Sequence, residues 1–328
     1  MTEGSPAHAN RPGGSRIKQQ TLPAWKPIFT ANCVVPIFFV FGIIFIPIGV
    51  VLLLESNKIK EMSLDYTSCT TPANQSCSLL RENRTEQVMR DACVCNVDFT
   101  LSEDWPGTVY VYYRLTEFYQ NHRRYLKSVN QEQLQGETAQ TSGCIPNAFQ
   151  SSDSLPIMPC GMIANSRFND SYTLFRSGND TSPIDWRRDG IAWTEDTNYK
   201  FGNPTSFAGS AQPVYWQENV SSLPGMMLNE DLAVWMRTAA LPKFRKLYAR
   251  ITDGLTTGNY TMSIEYNYPI RRGHKTFVLS TTRWIGGKNS FLGIAYLTVG
   301  GLSIAGGCAL LLIHAIYGKR KRDVSKMH

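Results

Sequence analysis

Histidine is nearly missing from this sequence, with five in 328 residues, and only His122 and His274 fall in the long central part. Neither belongs to an H-E-x-x-H pair, and no G-x-S-x-G elbow or G-x-x-x-x-G-K-[ST] phosphate loop occurs. Zinc-protease, serine-hydrolase and nucleotide-loop chemistry therefore have no footing, and the chain is expected to be no enzyme and to hold no cofactor or metal. His122, inside FYQNHRRY, reads as a surface or hydrogen-bonded residue rather than a general base. The acidic pairs Glu103-Asp104 and Glu230-Asp231 read as solvated turns. Internal repeats are lacking between Glu55 and Ser290 as well.

Charge is missing from two further places. Val34 to Leu54 is a run of 21 residues without a charge, 17 of them Val, Ile, Leu or Phe, long enough to cross roughly 30 Å of hydrocarbon as a helix. The run exceeds the apolar region of a cleaved leader, and Glu55-Ser56-Asn57 after it offers no small-residue cleavage pattern. Phe291 to Tyr317 is also uncharged but holds five glycines, a Ser, a Thr and His314. Gly293, Gly300 and Gly307 recur every seven residues, which keeps them near one helix face where a neighbouring helix can approach closely. That face is expected to be a packing seam, and the candidate surface for a partner helix.

What net charge there is sits at the ends. Residues 1–33 carry Arg11, Arg16, Lys18 and Lys26 against Glu3, and 318–328 carry five basic residues against Asp323, so the net +7 lies wholly on the two tails. The positive-inside rule places both tails in the cytosol. KRKR at 319–322 abuts a membrane run, where basic residues meet anionic lipid headgroups, and nucleic acid is not expected as a partner. The organisation expected is a cytosolic tail (1–33), a first membrane helix (34–54), an extracytosolic domain (55–290), a second helix (291–317) and a basic cytosolic tail (318–328).

The middle supports that topology. N-x-S/T sequons at Asn74, Asn83, Asn169, Asn179, Asn219 and Asn259 all lie between the two runs, where composition alone gives about two, and they read as glycosylation sites of an extracytosolic domain. Six cysteines share that compartment: Cys69, Cys77, Cys93, Cys95, Cys144 and Cys160. The first four fall within 27 residues, with C-x-C and seven-residue spacings and no histidine nearby, which fits zinc poorly. Disulfides are the expected use.

Tyr-, Val- and Thr-rich runs at Val109 to Leu115, Tyr260 to Tyr268 and Thr276 to Thr282 read as strands. Arg81 to Asp91 and Lys243 to Ile251 read as short helices. Short strands with long loops point to an antiparallel β-sandwich with loop insertions.

Several stretches are more specific: LPAWKP from Leu22, FYQNHRRY from Phe118, PCGMIANSRFND from Pro159, GIAW from Gly190, NEDLAVWMRTAALPKFRKLYARI from Asn229, YNYP from Tyr266 and WIGGKNSFLGIAY from Trp284. In this order, and over nearly the whole chain, they closely resemble the cell cycle control protein 50 family, the accessory subunits of phospholipid-flipping P-type ATPases. The resemblance implies a non-catalytic subunit that forms a heterodimer with a flippase catalytic chain. Such a subunit helps its partner leave the endoplasmic reticulum and supports the transport cycle among membrane lipids. Residence in endoplasmic reticulum, Golgi, endosomal or plasma membrane follows from the same resemblance. It also implies a nested pairing of the first four cysteines, Cys69 with Cys95 and Cys77 with Cys93, and Cys144 with Cys160.

The sequence departs from the family pattern in places. Thr194 stands where a second Trp usually follows GIAW, and Ser290 where GGKN is usually followed by Pro. Asp98 and Ser263 occupy two usual glycosylation positions, with Asn259 near the second, and the Cys69–Cys77 spacing is longer than usual. Two other classes share the two-helix layout: a trimeric ligand-gated channel, and an adhesion or receptor ectodomain. Tails of about 30 and 11 residues leave no room for a signalling domain.

Overall fold

The computed structural model describes residues 14–23, 30–78, 93–151, 153–177 and 182–325, the side chains of 318–325 excepted. The chain divides into two compact units, Met1–Leu53 with Phe291–His328, and Leu54–Ser290.

The first unit is built on two helices, α1 (Ala31–Asn57) and the chain's last helix (Phe291–Ser325), each with an apolar stretch long enough to cross a membrane. At 1.5 Å per residue the 27 residues of α1 span about 40 Å. Pro36 and Pro47 lie inside α1, where each removes one ladder hydrogen bond. The glycines decide how the two helices pack. A Cβ on Gly300 would lie 2.8 Å from Ile46 Cγ1, one on Gly293 2.9 Å from the Leu53 nitrogen, and one on Gly307 3.3 Å from Phe38 Cβ. Gly42 and Gly49 of α1 answer them, against Ile304 and Leu297. The seven-residue seam is therefore occupied by the chain's own α1. Its reading as a surface for a partner helix is corrected, because no space remains along it for a third backbone.

The second unit is an antiparallel β-sandwich. One sheet has the order β1-β7-β3-β5, formed by Glu61–Asp65, Lys275–Ser280, Val109–Leu115 and Phe244–Ile251. The other has the order β2-β6-β4, formed by Val94–Leu101, Gly258–Glu265 and Ser171–Arg176. Every ladder joins one of the first four strands to one of the last three. Alternation fixes the inner faces. Val109, Val111, Tyr113 and Leu115 of β3 and Tyr260, Met262 and Ile264 of β6 point into one shared core. Strand β7 is buried on both faces.

Small helices ride on the long loops: α2 (Arg123–Lys127), α3 (Gln131–Leu134), α4 (Met162–Asn165), α5 (Thr194–Tyr199) and α6 (Glu230–Met236). The last membrane-length helix is then α7. A second apolar cluster around Leu134, Trp216, Met227 and Leu232 forms the core beneath these loops.

The expected helix at Lys243 to Ile251 is corrected: the segment is strand β5. Register shifts between Val111 and Tyr112, opposite Ala249 and Leu247, leaving Tyr248 as the extra residue of a bulge. The bulge changes the phase of the inward side, so Lys246, Tyr248, Ala249 and Ile251 are all buried. The bulge breaks the plain two-residue alternation that marks a strand, and Arg, Lys, Leu and Ala are good helix formers besides. The other expected helix, Arg81 to Asp91, lies outside the described residues.

Three disulfides hold the loops: Cys69–Cys95, Cys77–Cys93 and Cys144–Cys160. The Cys69, Cys77 and Cys95 sulfurs lie within 4.8 Å of one another, but each is committed to a bridge.

Candidate functional site

The distinctive stretches meet in two places in the sandwich domain. In the first, FND at 168–170 and YNYP at 266–269 close over the end of β7. Asp170 is fully buried and accepts four hydrogen bonds. Oδ1 takes the backbone N–H groups of Asn267 (2.7 Å) and Tyr268 (2.6 Å), and Oδ2 takes Tyr66 OH (2.9 Å) and Lys275 Nζ (2.6 Å). Lys275 is equally buried, donates also to Tyr268 O at 2.7 Å, and lies 3.0 Å from the centre of the Tyr266 ring, an arrangement that attracts a desolvated cation. Burial first, and the Asp170 charge second, raise the Tyr66 phenol well above its ordinary value. Tyr66 and Tyr172 share a 2.6 Å bond. Every strong site on Asp170 is taken from within the chain, so the cluster fastens two loops to β7 rather than presenting a group to a substrate.

The second place joins GIAW to NEDLAVW. Glu230 reaches back and accepts the N–H groups of Gly190 (2.8 Å), Ile191 (2.7 Å) and Ala192 (2.9 Å). Asp231 pairs with Arg188 at 2.7 Å, and burial raises its carboxyl above the ordinary value against the pull of that guanidinium. The reading of Glu230-Asp231 as a solvated turn is corrected: both side chains organise a loop. Asn229 caps α6 by accepting from Leu232 N. At the other end Lys246 donates to the carbonyls of Val234 (2.8 Å), Trp235 (2.7 Å) and Arg237 (2.6 Å). Sequence reasoning misses Lys246, Asp170 and Lys275, because a charged residue inside a fold announces itself only through partners far along the chain.

The remaining sequence candidates fall elsewhere. His122 is exposed and caps the five-residue α2, its Nδ1 accepting from Arg124 N at 3.3 Å. Glu103 pairs with Lys60 at 3.0 Å, and Asp104 accepts from Thr257 N. Of the sequons, Asn74, Asn219 and Asn259 are exposed, Asn169 is half-buried, and Asn83 and Asn179 lie outside the described residues. Arg237 stacks on the exposed Trp193 ring at 3.6 Å, one residue before the departure at Thr194.

Two membrane-length helices on either side, in the sequence, of a disulfide-held antiparallel sandwich define the class as a two-helix membrane protein with one central β-domain. Residues 52–321 match the LEM3 (ligand-effect modulator 3) family / CDC50 family. Cell cycle control protein 50A of Bos taurus is 44% identical, over 96% of this chain and 92% of its own length. Cell cycle control protein 50B of Homo sapiens is 42% identical, over 96% and 97%, and ALA-interacting subunit 3 of Arabidopsis thaliana is 40% identical, over 97% and 90%. The chain belongs to the CDC50/LEM3 family.

Proposed function

We propose that this chain is the non-catalytic accessory subunit of a phospholipid-translocating P-type ATPase. It forms a heterodimer with the catalytic chain, which it accompanies out of the endoplasmic reticulum and supports through the transport cycle. Both termini face the cytosol, and the sandwich lies outside or in the lumen and is glycosylated. ATP hydrolysis belongs to the partner. The observation that carries this reading is family membership over nearly the full length, with one relative named for its interaction with ALA. Exposed apolar surface on the helices supports the reading. The helix seam is used internally, while Ile43, Leu302 and Ile316 remain more than 60% exposed on the outer faces, available to lipid or to partner helices.

The test is co-purification of the tagged chain in mild detergent, with mass spectrometry of the proteins recovered alongside it. A P-type ATPase recovered in comparable amount, and a lipid-flipping activity lost when this chain is depleted, is the expected result. Recovery of no ATPase, with flipping unchanged on depletion, would sink the proposal.

A further inference from the structure

Three segments meet at one corner of the sandwich, where β3 ends and β5 and β7 begin. Thr116 N donates to His274 O at 3.1 Å, Phe118 N to Pro242 O at 3.2 Å, and Asn121 Nδ2 to Ala240 O at 3.0 Å. The rings of Tyr125 in α2 and of Tyr268 both face Phe118, at 6.0 and 6.4 Å between centres. Six basic side chains stand on these segments: Arg123, Arg124 and Lys127 on α2, Lys243 ahead of β5, and Arg271 and Arg272 ahead of β7. All six are exposed, and none forms an ion pair among the described residues. The same segments carry one carboxylate, Glu117. Asp65 at the nearby end of β1 is already paired with His274 at 2.9 Å.

The net charge of the chain lies on its tails, so the central part is neutral as a whole and this corner is a concentration of one sign within it. Charges of one sign gathered without partners repel one another, and a bound polyanion relieves the repulsion. Four of the six are arginines, whose planar forks take sulfate or phosphate through paired hydrogen bonds. They stand as two adjacent pairs on separate segments, so one ligand chain with several anionic groups engages both pairs at once. None of the four lines either cavity of the domain, which suits a chain laid over the surface rather than a segment with side chains to bury. The polypeptide leaves this sheet for its membrane helices from the opposite end, at Glu61 and Ser280. Six residues of β7 put about 20 Å between the two ends, about twice the screening length of exposed charges at physiological salt, which disfavours a layer of lipid headgroups as the occupant. We propose that this corner binds a linear sulfated polysaccharide, its sulfates held by Arg123, Arg124, Arg271 and Arg272.

This rests on the proposed extracytosolic placement of the sandwich, the compartment in which such polysaccharides are made and met. The full chain, purified in mild detergent, is titrated with a fluorescent heparin-derived oligosaccharide. The background carries Lys319→Gln, Arg320→Gln, Lys321→Gln and Arg322→Gln, which removes the competing basic run of the tail. Arg271→Gln with Arg272→Gln, and Arg123→Gln with Arg124→Gln, should each weaken binding about tenfold and flatten its dependence on salt, since fewer counterions are released. Melting temperatures should stay near that of the background, as suits exposed side chains. Arg271→Lys with Arg272→Lys keeps the charge and still loses several-fold, because the forks are gone. Binding that neither pair of glutamines weakens overturns the proposal, as does equal binding of the desulfated oligosaccharide. Tighter binding of a polyglutamate peptide of matched charge overturns it in favour of an acidic protein segment. Glycosidase treatment of the same preparation separates the two readings. A glycosylated chain that fails to bind overturns the corner alone, whereas a chain without glycan at any sequon overturns the extracytosolic placement and this occupant with it.

Discussion

Lys246 sends its ammonium from β5 into the last turn of α6, where three carbonyls left over by the helix accept it. Burial, with a smaller push from the Arg237 guanidinium, brings its pKa down to about 7. The folded value lies below the ordinary one, so between about pH 7 and the unfolded pKa of about 10.4 the folded chain binds fewer protons than the unfolded chain. This residue alone therefore makes stability rise with pH across that window and leaves it level below. Comparing melting temperatures of the wild type and Lys246→Met from pH 6 to 9 should show the wild type gaining on the variant only above about pH 7. A constant difference over the whole range would place the lysine's folded pKa near its ordinary value. Nothing in FRKLYARI marks this lysine as buried rather than solvated, since the carbonyls that hold it belong to a helix reached only through the fold. Asp170 and Lys275 are hidden in the same way: each lies in or near a distinctive stretch, yet their meeting joins residues 105 apart.

At the scale of elements, legibility follows sequence distance. Strand β3 is readable to the residue at Val109–Leu115, because its burial alternates without interruption and nothing local competes. Strand β5 is not, because a bulge interrupts its alternation and its side chains are good helix formers. The YNYP segment looks like a continuation of strand, yet β6 stops at Glu265 and Tyr266 to Tyr268 turn away to close over Asp170. The membrane helices are plain from their apolar runs, and the glycine period marks a close approach correctly while leaving its occupant open. The structure supplies a clean comparison at adjacent positions. A side chain at Gly300 meets Ile46 and Phe45, whereas one at Gly301 meets nothing within 4 Å. Gly300→Leu should overpack the α1–α7 seam, at a cost of about 1–3 kcal/mol, and lower the melting temperature and yield of the full chain in detergent. Gly301→Leu should leave both near wild type. Equal damage from the two would mean that the seam does not depend on α1, and reduced ATPase recovery from Gly301→Leu alone would place the partner on that outer face.

On the scale of the whole molecule, more residues of the second unit lie in connections than in strands, and the bridges compensate for the small share held in ladders. Cys144–Cys160 closes a loop on a third, small apolar cluster with Ala148, Ile157 and Ala211. In the chain-entropy account, a bridge over a loop of this length stabilises by roughly 3 kcal/mol. Cys144→Ser with Cys160→Ser should therefore lower the melting temperature of the full chain and reduce the amount reaching its destination membrane; unchanged values for both would show that the loop holds without its bridge. The two-unit organisation and the use of the six central cysteines in bridges are legible from composition, whereas the nested pairing comes from resemblance to a family and not from spacing.

The pattern of strand partners sets an order of events at the ribosome. Among the described residues, none of the first four strands pairs with another of the four; each waits for β5, β6 or β7. None of these ladders can begin before Phe244 has been made, and β1, close behind α1 in the chain, stays unpaired until Lys275–Ser280 arrives. At about 5–20 residues per second the front half spends many seconds as exposed edge with no mate. All six bridging cysteines have emerged by Cys160, so the covalent staples can be set while the sheets are still impossible. If the cysteines lie in an oxidising compartment, as proposed, the nascent chain can be oxidised before it folds, and a translational pause between residues 160 and 244 would lengthen the interval in which its unmated strands depend on a chaperone.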